Sequence, residues 1–247
     1  MIDLSVVLPV FNEVDNVPVI AAEVMAVLDE LRLDAEVVFV DDGSTDGSTE
    51  AIRAVMLSDA RVRLVRLDAN SGLTAAFDAG YAAARGRIVV TMDADLQSDP
   101  SDIPRLLDVL HDADAAVGWR AQRHDGWLKR VSSRIGNGVR NRITGDHVRD
   151  SACSLRAMRR ECLGALPPYN GLHRFVPTLL RTAGFRVVEV PVHHRARRFG
   201  RSKYGVRNRA ARGFVDLLAV TWMMRRALHY QAREIEANVP AAGRDAR

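Results

Sequence analysis

The 247-residue sequence predicts an α/β domain with a mostly parallel sheet and helices on both faces. Short apolar runs rich in β-branched residues alternate with segments whose apolar residues recur at helical spacing, and the connections between them are short. Acidic residues follow several of these runs at the point where a strand would end. Because ligands of open parallel sheets bind beyond the carboxyl ends of the strands, the sequence also predicts a functional site at that edge.

The first 118 residues carry most of this pattern. Predicted strands cover residues 4–10, 36–40, 62–67, 87–92 and 115–117. Predicted helices run from Asp15 or Asn16 to about Leu31, follow Asp46 or Ser48, and cover residues 73–84 and 101–110. The first of these helices has a capping side chain and Pro18 in its first turn, both typical of a helix start.

Beyond Gly118 the pattern is less regular and strongly basic. Helices are predicted over residues 128–143, 172–182 and 208–229, a strand over 185–190, and a strand or loop over 151–158. Residues 193–213 contain eight Lys and Arg residues and no acid. This segment is a candidate anion-binding surface.

The charge is divided unevenly between the two halves of the chain. Residues 1–118 contain 8 Lys and Arg against 22 Asp and Glu, whereas residues 119–247 contain 27 against 9, which leaves the net charge of +4. This asymmetry suggests a metal-binding half beside an anion-binding half, and the alternative is an acidic enzyme surface beside a basic dimer face. Nucleic acid is not expected as a partner, because aromatic residues make up only 6% of the chain and do not interleave with the basic run.

The composition is that of a soluble globular protein, with 47% hydrophobic and 27% charged residues. The longest apolar run, residues 217–224, is far shorter than the roughly 20 residues that a membrane-spanning helix needs. Asp3 and Glu13 argue against a signal peptide. Cys153 and Cys162 are expected to be reduced thiols in a cytoplasmic protein.

Five acids fall at predicted strand ends: Glu13, Asp41, Asp42, Asp93 and Asp95. Alternation along an extended chain points Asp93 and Asp95 to the same side. Two converging carboxylates repel each other unless a cation lies between them, and oxygen ligands of this kind suit Mg²⁺ or Mn²⁺. The alternative is a pair of solvated turn acids, since Asp is common in turns. Five acids at one edge favour the metal interpretation.

Three motifs, in the same order along the chain, resemble family 2 glycosyltransferases of the GT-A fold. They are residues 8–13 (LPVFNE), 40–46 (VDDGSTD) and 92–97 (MDADLQ), and the resemblance covers about residues 2–225. Residues 118–120 (GWR), 173–175 (HRF) and 197–204 (RRFGRSKY) are similar to the polyprenyl-phosphate branch, which includes dolichol-phosphate mannosyltransferases and bacterial undecaprenyl-phosphate sugar transferases. The resemblance implies an inverting, metal-dependent transfer of a sugar from a nucleotide-sugar donor to a polyprenyl phosphate.

The resemblance also implies a set of site residues. Pro9, Phe11 and Glu13 would line the nucleotide pocket, with Val40 and Asp42 at the base and ribose. Asp93, Asp95 and Gln97 would hold Mg²⁺ or Mn²⁺ under the diphosphate, with Ala94 beside them in the nucleotide-sugar site. Arg120, Arg197 and Lys203 would face phosphates and, with Asp95, form the catalytic set. Arg130, Ser133 and His173 are weaker matches for the acceptor phosphate. Phe11 replaces the more usual tyrosine, so ring packing survives but a hydroxyl contact is lost.

A missing carboxylate favours a phosphate acceptor. Transfer to a hydroxyl needs a general base, yet the only acid between Asp150 and Glu189 is Glu161. A lipid phosphate is already negative near neutral pH and needs Arg or Lys more than deprotonation. Two alternatives stay open: transfer to a saccharide or protein hydroxyl with Glu161 as the base, and a non-catalytic module that binds nucleotide sugar.

The chain is therefore expected to contain a GT-A catalytic domain (residues 1–205), an amphipathic helix (206–230) and a polar tail (231–247). Arginines flank the apolar face of that helix, which includes Phe214 and Trp222. We expect this face to dock on a membrane surface, with homodimer packing or a membrane-protein partner as the alternative. The protein would then be peripheral on the cytoplasmic face of a membrane.

Overall fold

The computed structural model describes residues 2–121, 136, 138–199 and 206–228, with side chains in the last segment from residue 213 onward. The strands are β1 (Leu4–Val10), β2 (Ala35–Asp41), β3 (Val62–Arg66), β4 (Ile88–Thr91), β5 (Ala115–Arg120), β6 (Arg156–Arg159) and β7 (Val187–Val192). The helices are α1 (Val17–Leu31), α2 (Ser48–Ser58), α3 (Leu73–Ala83), α4 (Ile103–Val109), α5 (138–144), α6 (Val176–Thr182) and α7 (Val206–Arg225).

The strands form one sheet in the order β3-β2-β1-β4-β6-β5-β7. The strands β3, β2, β1 and β4 are neighbours in parallel, and β7 is parallel to β5. β6 lies between β4 and β5 and is antiparallel to both. The predicted mostly parallel sheet is thereby confirmed. Because β6 is reversed, its first residue, Arg156, pairs with Thr91 at the carboxyl end of β4.

Alternate residues of the central strands enter two separate cores. Val6 and Leu8 of β1 pack on one face of the sheet with Ile20 of α1. Val7 faces the other way and packs with Phe77 of α3. All seven residues of β1 are buried, which explains why its sequence is continuously apolar apart from one serine.

Gly80 lets α3 approach the sheet closely. A Cβ atom at this position would lie 2.3 Å from Val7 Cγ1 and 3.1 Å from Val40 Cγ2. The small residues of α3 therefore set the distance between the helix and the two central strands.

Glu36 anchors the opposite, amino-terminal edge of the sheet. Its carboxylate is only 3% exposed and accepts hydrogen bonds from Ser5 Oγ, Arg63 Nη1 and the Arg85 N–H, each 2.7 Å long. Burial alone would raise the pKa of Glu36, but these hydrogen bonds outweigh it and lower the pKa below its usual value.

The second half of the chain departs from several sequence-based expectations. The predicted helix over residues 172–182 is a 3₁₀ turn, Leu172–Arg174, followed by α6. Pro177 lies in the first turn of α6, where its ring is tolerated, whereas in a continuous helix it would clash with the preceding turn. Of the segment 151–158, predicted as a strand or loop, residues 151–155 form a loop and the rest belongs to β6. Of the helix predicted over residues 128–143, only the part from residue 136 onward lies within the described residues.

α7 packs on the rest of the fold through one face. Leu217 and Val220 contact a small apolar cluster that includes Phe175 and Leu179, and Asp216 pairs with Arg174 at 3.1 Å. Within the described ranges, no helix combines the length and the apolar character needed to cross a bilayer.

Candidate active site

The loops after β1 and β2 hold each other through hydrogen bonds. The Asn12 N–H donates to Ser44 Oγ (2.9 Å), and the Thr45 N–H donates to Asn12 Oδ1 (2.8 Å). Asp41 is fully buried and accepts from the Ser44 N–H (2.8 Å) and from Thr49 Oγ1. Asp41 therefore organises the loop rather than facing the site.

Asp42 connects this rim to the start of α3. Its carboxylate accepts from Asn70 Nδ2 (3.1 Å), the Ser71 N–H (2.6 Å) and the Gly72 N–H (2.9 Å). Asp42 is 4% exposed, and Val40 is fully buried in the core under α3. The side chain of Val40 thus offers no surface to a ligand.

Asp93 and Asp95 follow β4 directly and are both half-buried at the carboxyl edge. The Asp93 N–H donates to Ser154 Oγ (3.1 Å), and the Gln97 N–H donates to Asp95 Oδ1 (3.1 Å). Leu96 adopts a positive φ of 62°, which turns the chain sharply between Asp95 and Gln97.

Asp93 lies in an electrostatically unfavourable environment. Burial, together with the negative charge of Asp95, raises the pKa of Asp93 to about 6. The hydrogen bond with Ser154 and the positive charges of Arg156 and Arg120 act in the opposite direction. A cation bound between the carboxylates would relieve their repulsion, so the donor set fits Mg²⁺ or Mn²⁺.

The protein itself supplies few ligands for such a cation. Among the residues that the structure describes, no three carboxylate, imidazole or thiol side chains converge on one point. Asp93, Asp95 and the amide of Gln97 would leave coordination positions open. Mg²⁺ sites of this kind are usually completed by water and by the phosphates of a substrate.

Arg197 brings the basic segment into contact with the acidic rim. Its Nη2 lies 2.5 Å from Asp95 Oδ2 and 3.5 Å from Gln97 Oε1, and its Nη1 lies 3.7 Å from Glu13 Oε1. Residues from the loops after β1, β4 and β7 thus meet at one guanidinium. The sequence predicted that the two aspartates and the basic segment share a cleft, and the position of Arg197 agrees with that prediction.

The chain around Arg197 is fixed by further contacts to the same edge. The Arg195 N–H donates to the carbonyl of Gln97 (2.9 Å), and the Arg195 guanidinium pairs with Asp99 and Glu23. His193 Nδ1 lies 2.9 Å from Asp102 Oδ1. His193 therefore helps to hold the basic segment in place.

Arg120 lies at the end of β5 and is bound by Asp150. The guanidinium donates two hydrogen bonds to this carboxylate, Nε to Oδ2 at 2.6 Å and Nη2 to Oδ1 at 2.9 Å. Asp150 is 4% exposed. Such a bidentate pair fixes both the position and the orientation of Arg120.

The remaining predicted residues include several whose side chains the structure places and several that it does not describe. His173 Nδ1 lies 2.7 Å from Thr74 Oγ1 at the start of α3. Pro9 and Ala94 are buried, and Phe11 is half-buried beside Glu13. Arg130, Ser133 and Lys203, together with the tail 231–247, lie outside the described residues.

Glu161 lies at the opposite edge of the sheet from Asp93. It follows β6, whose last residue pairs with Ile88 at the start of β4, and the neighbouring Arg160 donates to the carbonyl of Ala84 (2.7 Å). A base at this position is separated from the two aspartates by the length of β4.

Solved structures share this fold. Glucosyl-3-phosphoglycerate synthase from Mycobacterium tuberculosis, in complex with Mn²⁺ and UDP-glucose, aligns with a TM-score of 0.67 and 22% identity over 89% of this chain and 79% of its own. Its complex with Mg²⁺ and UDP aligns with a TM-score of 0.66, also at 22% identity, over 91% of this chain and 79% of its own. These similarities show the GT-A fold.

Relatives identified by sequence have a higher identity to this chain than these solved structures have. The dodecaprenyl-phosphate galacturonate synthase of Rhizobium johnstonii is 39% identical over 94% of this chain and 69% of its own length. The undecaprenyl-phosphate 4-deoxy-4-formamido-L-arabinose transferase of Aeromonas hydrophila is 39% identical over 82% of this chain, which covers 63% of that relative. Residues 5–166 match the model of glycosyl transferase family 2. The chain belongs to glycosyl transferase family 2. The family predicted from the three motifs is thereby confirmed.

In this family 2 glycosyltransferase, sequence reasoning missed three residues beside the aspartates. Ser154 bonds to the backbone of Asp93, Asp150 binds Arg120, and Arg156 lies buried on β6. The available signal was weak: a single arginine between Leu155 and Ala157, in a segment too short to show a clear strand pattern.

Proposed function

We propose that this chain transfers a sugar from a nucleotide-sugar donor to a polyprenyl phosphate in an inverting, metal-dependent reaction. The observation that carries the proposal is the contact of Arg197 with Asp95, because it joins the carboxylate pair and the basic segment in one cleft. The names of the two sequence relatives, both polyprenyl-phosphate sugar transferases, support the same acceptor class.

On the donor side, we assign Asp93, Asp95 and Gln97 to the cation. A bound Mg²⁺ or Mn²⁺ would stabilise the negative charge that develops on the leaving diphosphate. Arg197 would donate to the same phosphates, and Arg120, oriented by Asp150, would add a second fixed positive charge. We also assign Lys203 to the binding of these phosphates, as the resemblance implies.

The nucleoside would lie over the loops after β1 and β2. We assign the packing surface for its base to Phe11, with Pro9 and Glu13 in the same loop. The Asp42 carboxylate accepts three hydrogen bonds that fix the 70–72 turn. Its remaining acceptor capacity would accept a hydrogen bond from the ribose. Only backbone atoms of Val40 would face the base.

The acceptor needs no general base in this scheme. A phosphate oxygen forms the new bond to the anomeric carbon while the bond from that carbon to the donor diphosphate breaks. The electron pair of the broken bond leaves with the nucleoside diphosphate. Attack occurs opposite the leaving group, so an α-linked donor would give a β-linked lipid phosphate.

The position of Glu161 argues against transfer to a hydroxyl. That alternative requires Glu161 as the base, and Glu161 follows the strand end farthest from Asp93. We therefore expect Glu161→Gln to leave turnover unchanged.

A donor panel tests the proposed function. The protein is incubated with a polyprenyl phosphate, Mg²⁺ and radiolabelled UDP- and GDP-sugars, and the lipid fraction is extracted. At least one donor should give lipid-soluble label, and EDTA should abolish it. The absence of lipid-extractable label with every donor would overturn the proposal.

We further propose that α7 docks on a lipid surface on the cytoplasmic face of the membrane, where a lipid acceptor would be reached. Trp222 and Phe214 are 63% and 53% exposed, and Arg226 lies over the Trp222 ring with 6.0 Å to its centroid. Basic side chains near an anionic leaflet contribute about 1 kcal/mol each. The sequence division into residues 1–205, 206–230 and 231–247 is part of this proposal.

Vesicle flotation tests the docking surface. The wild type should float with anionic vesicles, and a Phe214→Ser/Trp222→Ser double variant should not. Leu57→Ser, which removes a still more exposed apolar side chain (92%) from α2, is the control and should float. If the double variant instead changes only the oligomeric mass of a protein that never floats, this face packs on a second subunit and the proposal fails.

A further inference from the structure

Arg156 is a buried cation for which the described structure provides no complete set of partners. The residue is 3% exposed, and its Nε and Nη1 atoms are buried without any hydrogen-bond partner. Arginine is almost never fully buried unless it is paired, because an ionised group loses its hydration there. An orphaned guanidinium in a protein interior therefore calls for an explanation.

Its position in the sheet points to the active site. Arg156 pairs with Thr91 on one side and with Val117 on the other, and Asp93 follows Thr91 by two residues. Ser154, two residues before Arg156, accepts the Asp93 N–H. The unpaired guanidinium thus belongs to the strand end that borders Asp93.

The side chain lies on the face of the sheet that α3 and α6 cover. Met158, two residues farther along β6, packs in the core under these helices, so alternation puts Arg156 on the same face. Burial raises the pKa of Tyr81 on α3 to about 12, and the nearby Arg156 charge opposes that rise.

Other arginines in the described ranges are better compensated, and of these only Arg140 is buried, with one unpartnered nitrogen, Nε. Arg120 has the bidentate contact with Asp150, and Arg140 donates to Asp146 and Thr178. Arg159, three residues after Arg156, donates to the carbonyl of Leu110 at 2.6 Å. Arg156 differs from them because two of its three nitrogen atoms have no acceptor.

We propose that Arg156 binds a phosphate oxygen of the polyprenyl phosphate acceptor. This inference rests on the proposed function. A guanidinium is well matched to phosphate, to which it donates hydrogen bonds in a fixed planar geometry. Arg197 contacts Asp95 and Glu13 from the β1 side, whereas Arg156 borders Asp93 from the β6 side. The aspartate pair thus has an arginine on its β1 side and another on its β6 side, an arrangement that suits a reaction between two phosphate groups.

The test compares stability with ligand affinity. In Arg156→Met, a buried unpaired charge is replaced by an apolar side chain, so the melting temperature should stay level or rise. The KM for polyprenyl phosphate should increase about tenfold or more, the effect of one lost charge-assisted hydrogen bond. The Kd for the nucleoside diphosphate with Mg²⁺ should change by a smaller factor than this KM, because on the donor side Arg156 would act only through its charge on Asp93.

Arg159→Met is the matched control. It removes an arginine from the same strand that has carbonyl partners at the far edge. We expect a lower melting temperature and an unchanged KM for the lipid. Arg156→Lys should retain part of the lipid affinity, because the charge remains while the planar geometry is lost.

Three results would overturn the inference: a strongly lowered melting temperature in Arg156→Met, an unchanged KM for the lipid, or a weakened nucleotide affinity in its place. The last result would assign Arg156 to the donor diphosphate. Calorimetric binding of a short-chain isoprenyl phosphate to the wild type and to Arg156→Met needs no turnover. If this binding depends on Arg156 while the donor panel gives no product, the anion site stands and the proposed function fails.

Discussion

Arg197 Nη2 lies 2.5 Å from Asp95 Oδ2, although 102 residues separate them in the sequence. The guanidinium therefore binds a carboxylate oxygen that we assign as a ligand of the metal ion. When a cation and a diphosphate bind, Arg197 would exchange this carboxylate for phosphate oxygens. The same residue should then affect the binding of metal alone and of metal with nucleotide in opposite directions.

The first prediction concerns Arg197→Ala. Without the guanidinium, Asp95 is free for the ion, so the affinity for Mn²⁺ alone should rise about two- to fivefold, the range expected for a partly exposed charge pair. The affinity for nucleoside diphosphate with Mn²⁺ should fall, because a phosphate contact is lost. Titration calorimetry measures both.

Arg198→Ala is the control for this prediction. Arg198 is adjacent in sequence but exposed. Its substitution therefore removes the same charge and leaves the contact between Arg197 and Asp95 in place. Its Mn²⁺ affinity should match the wild type. A change of the same sign in both measurements for Arg197→Ala would contradict the exchange of partners.

The second prediction concerns stability at low pH. The folded-state pKa of Glu36 is lowered, so its stabilising contribution is present above the unfolded value of about 4.5 and is lost as the pH falls through the folded value. Glu36→Gln should lower the free energy of unfolding at pH 7 by about 2–4 kcal/mol, since it leaves Arg63 partly buried without its charge partner. The difference from the wild type should shrink below pH 4.5.

Urea unfolding of both proteins between pH 3 and pH 7 measures this difference. Glu30→Gln, on the exposed side of α1, is the control and should follow the wild type at every pH. A stability difference that stays constant with pH would show that the Glu36 charge is not responsible.

The third prediction concerns the approach of α3 to the sheet. Glycine to alanine usually stabilises a helix, but a Cβ at Gly80 would lie 2.3 Å from Val7 Cγ1. We expect Gly80→Ala to destabilise the protein by about 1–3 kcal/mol, the usual effect of overpacking a core. Thermal unfolding measures it. Gly164→Ala, where a Cβ meets nothing within 4 Å, should have little effect, and equal effects of the two substitutions would refute the packing argument.

The first half of the fold was predictable because its strands are buried on both faces. β1 was predicted over residues 4–10 and observed as Leu4–Val10, and β2 was predicted over 36–40 and observed as Ala35–Asp41. A continuous apolar run that ends in acids leaves few alternatives for a parallel sheet. The position of Asp93 and Asp95 at the carboxyl edge followed from the same pattern.

The parts that were not predicted depend on contacts between distant segments. β6 has four residues, two of them arginines, so its antiparallel insertion beside β4 has no apolar signature. The pairing of Arg120 with Asp150 spans 30 residues, and neither residue type identifies the other. Asp42 was assigned from the resemblance to a nucleotide contact, whereas the hydrogen bonds that fix the 70–72 turn appear only in the folded chain.

The most direct test of the account measures transfer of labelled sugar to polyprenyl phosphate by three proteins: the wild type, Asp95→Asn and Glu161→Gln. We predict equal lipid-extractable product from the wild type and Glu161→Gln, and a loss of about 100-fold or more in Asp95→Asn, because electrostatic stabilisation of the leaving group is lost. Full activity in Asp95→Asn, or a loss confined to Glu161→Gln, would contradict the account.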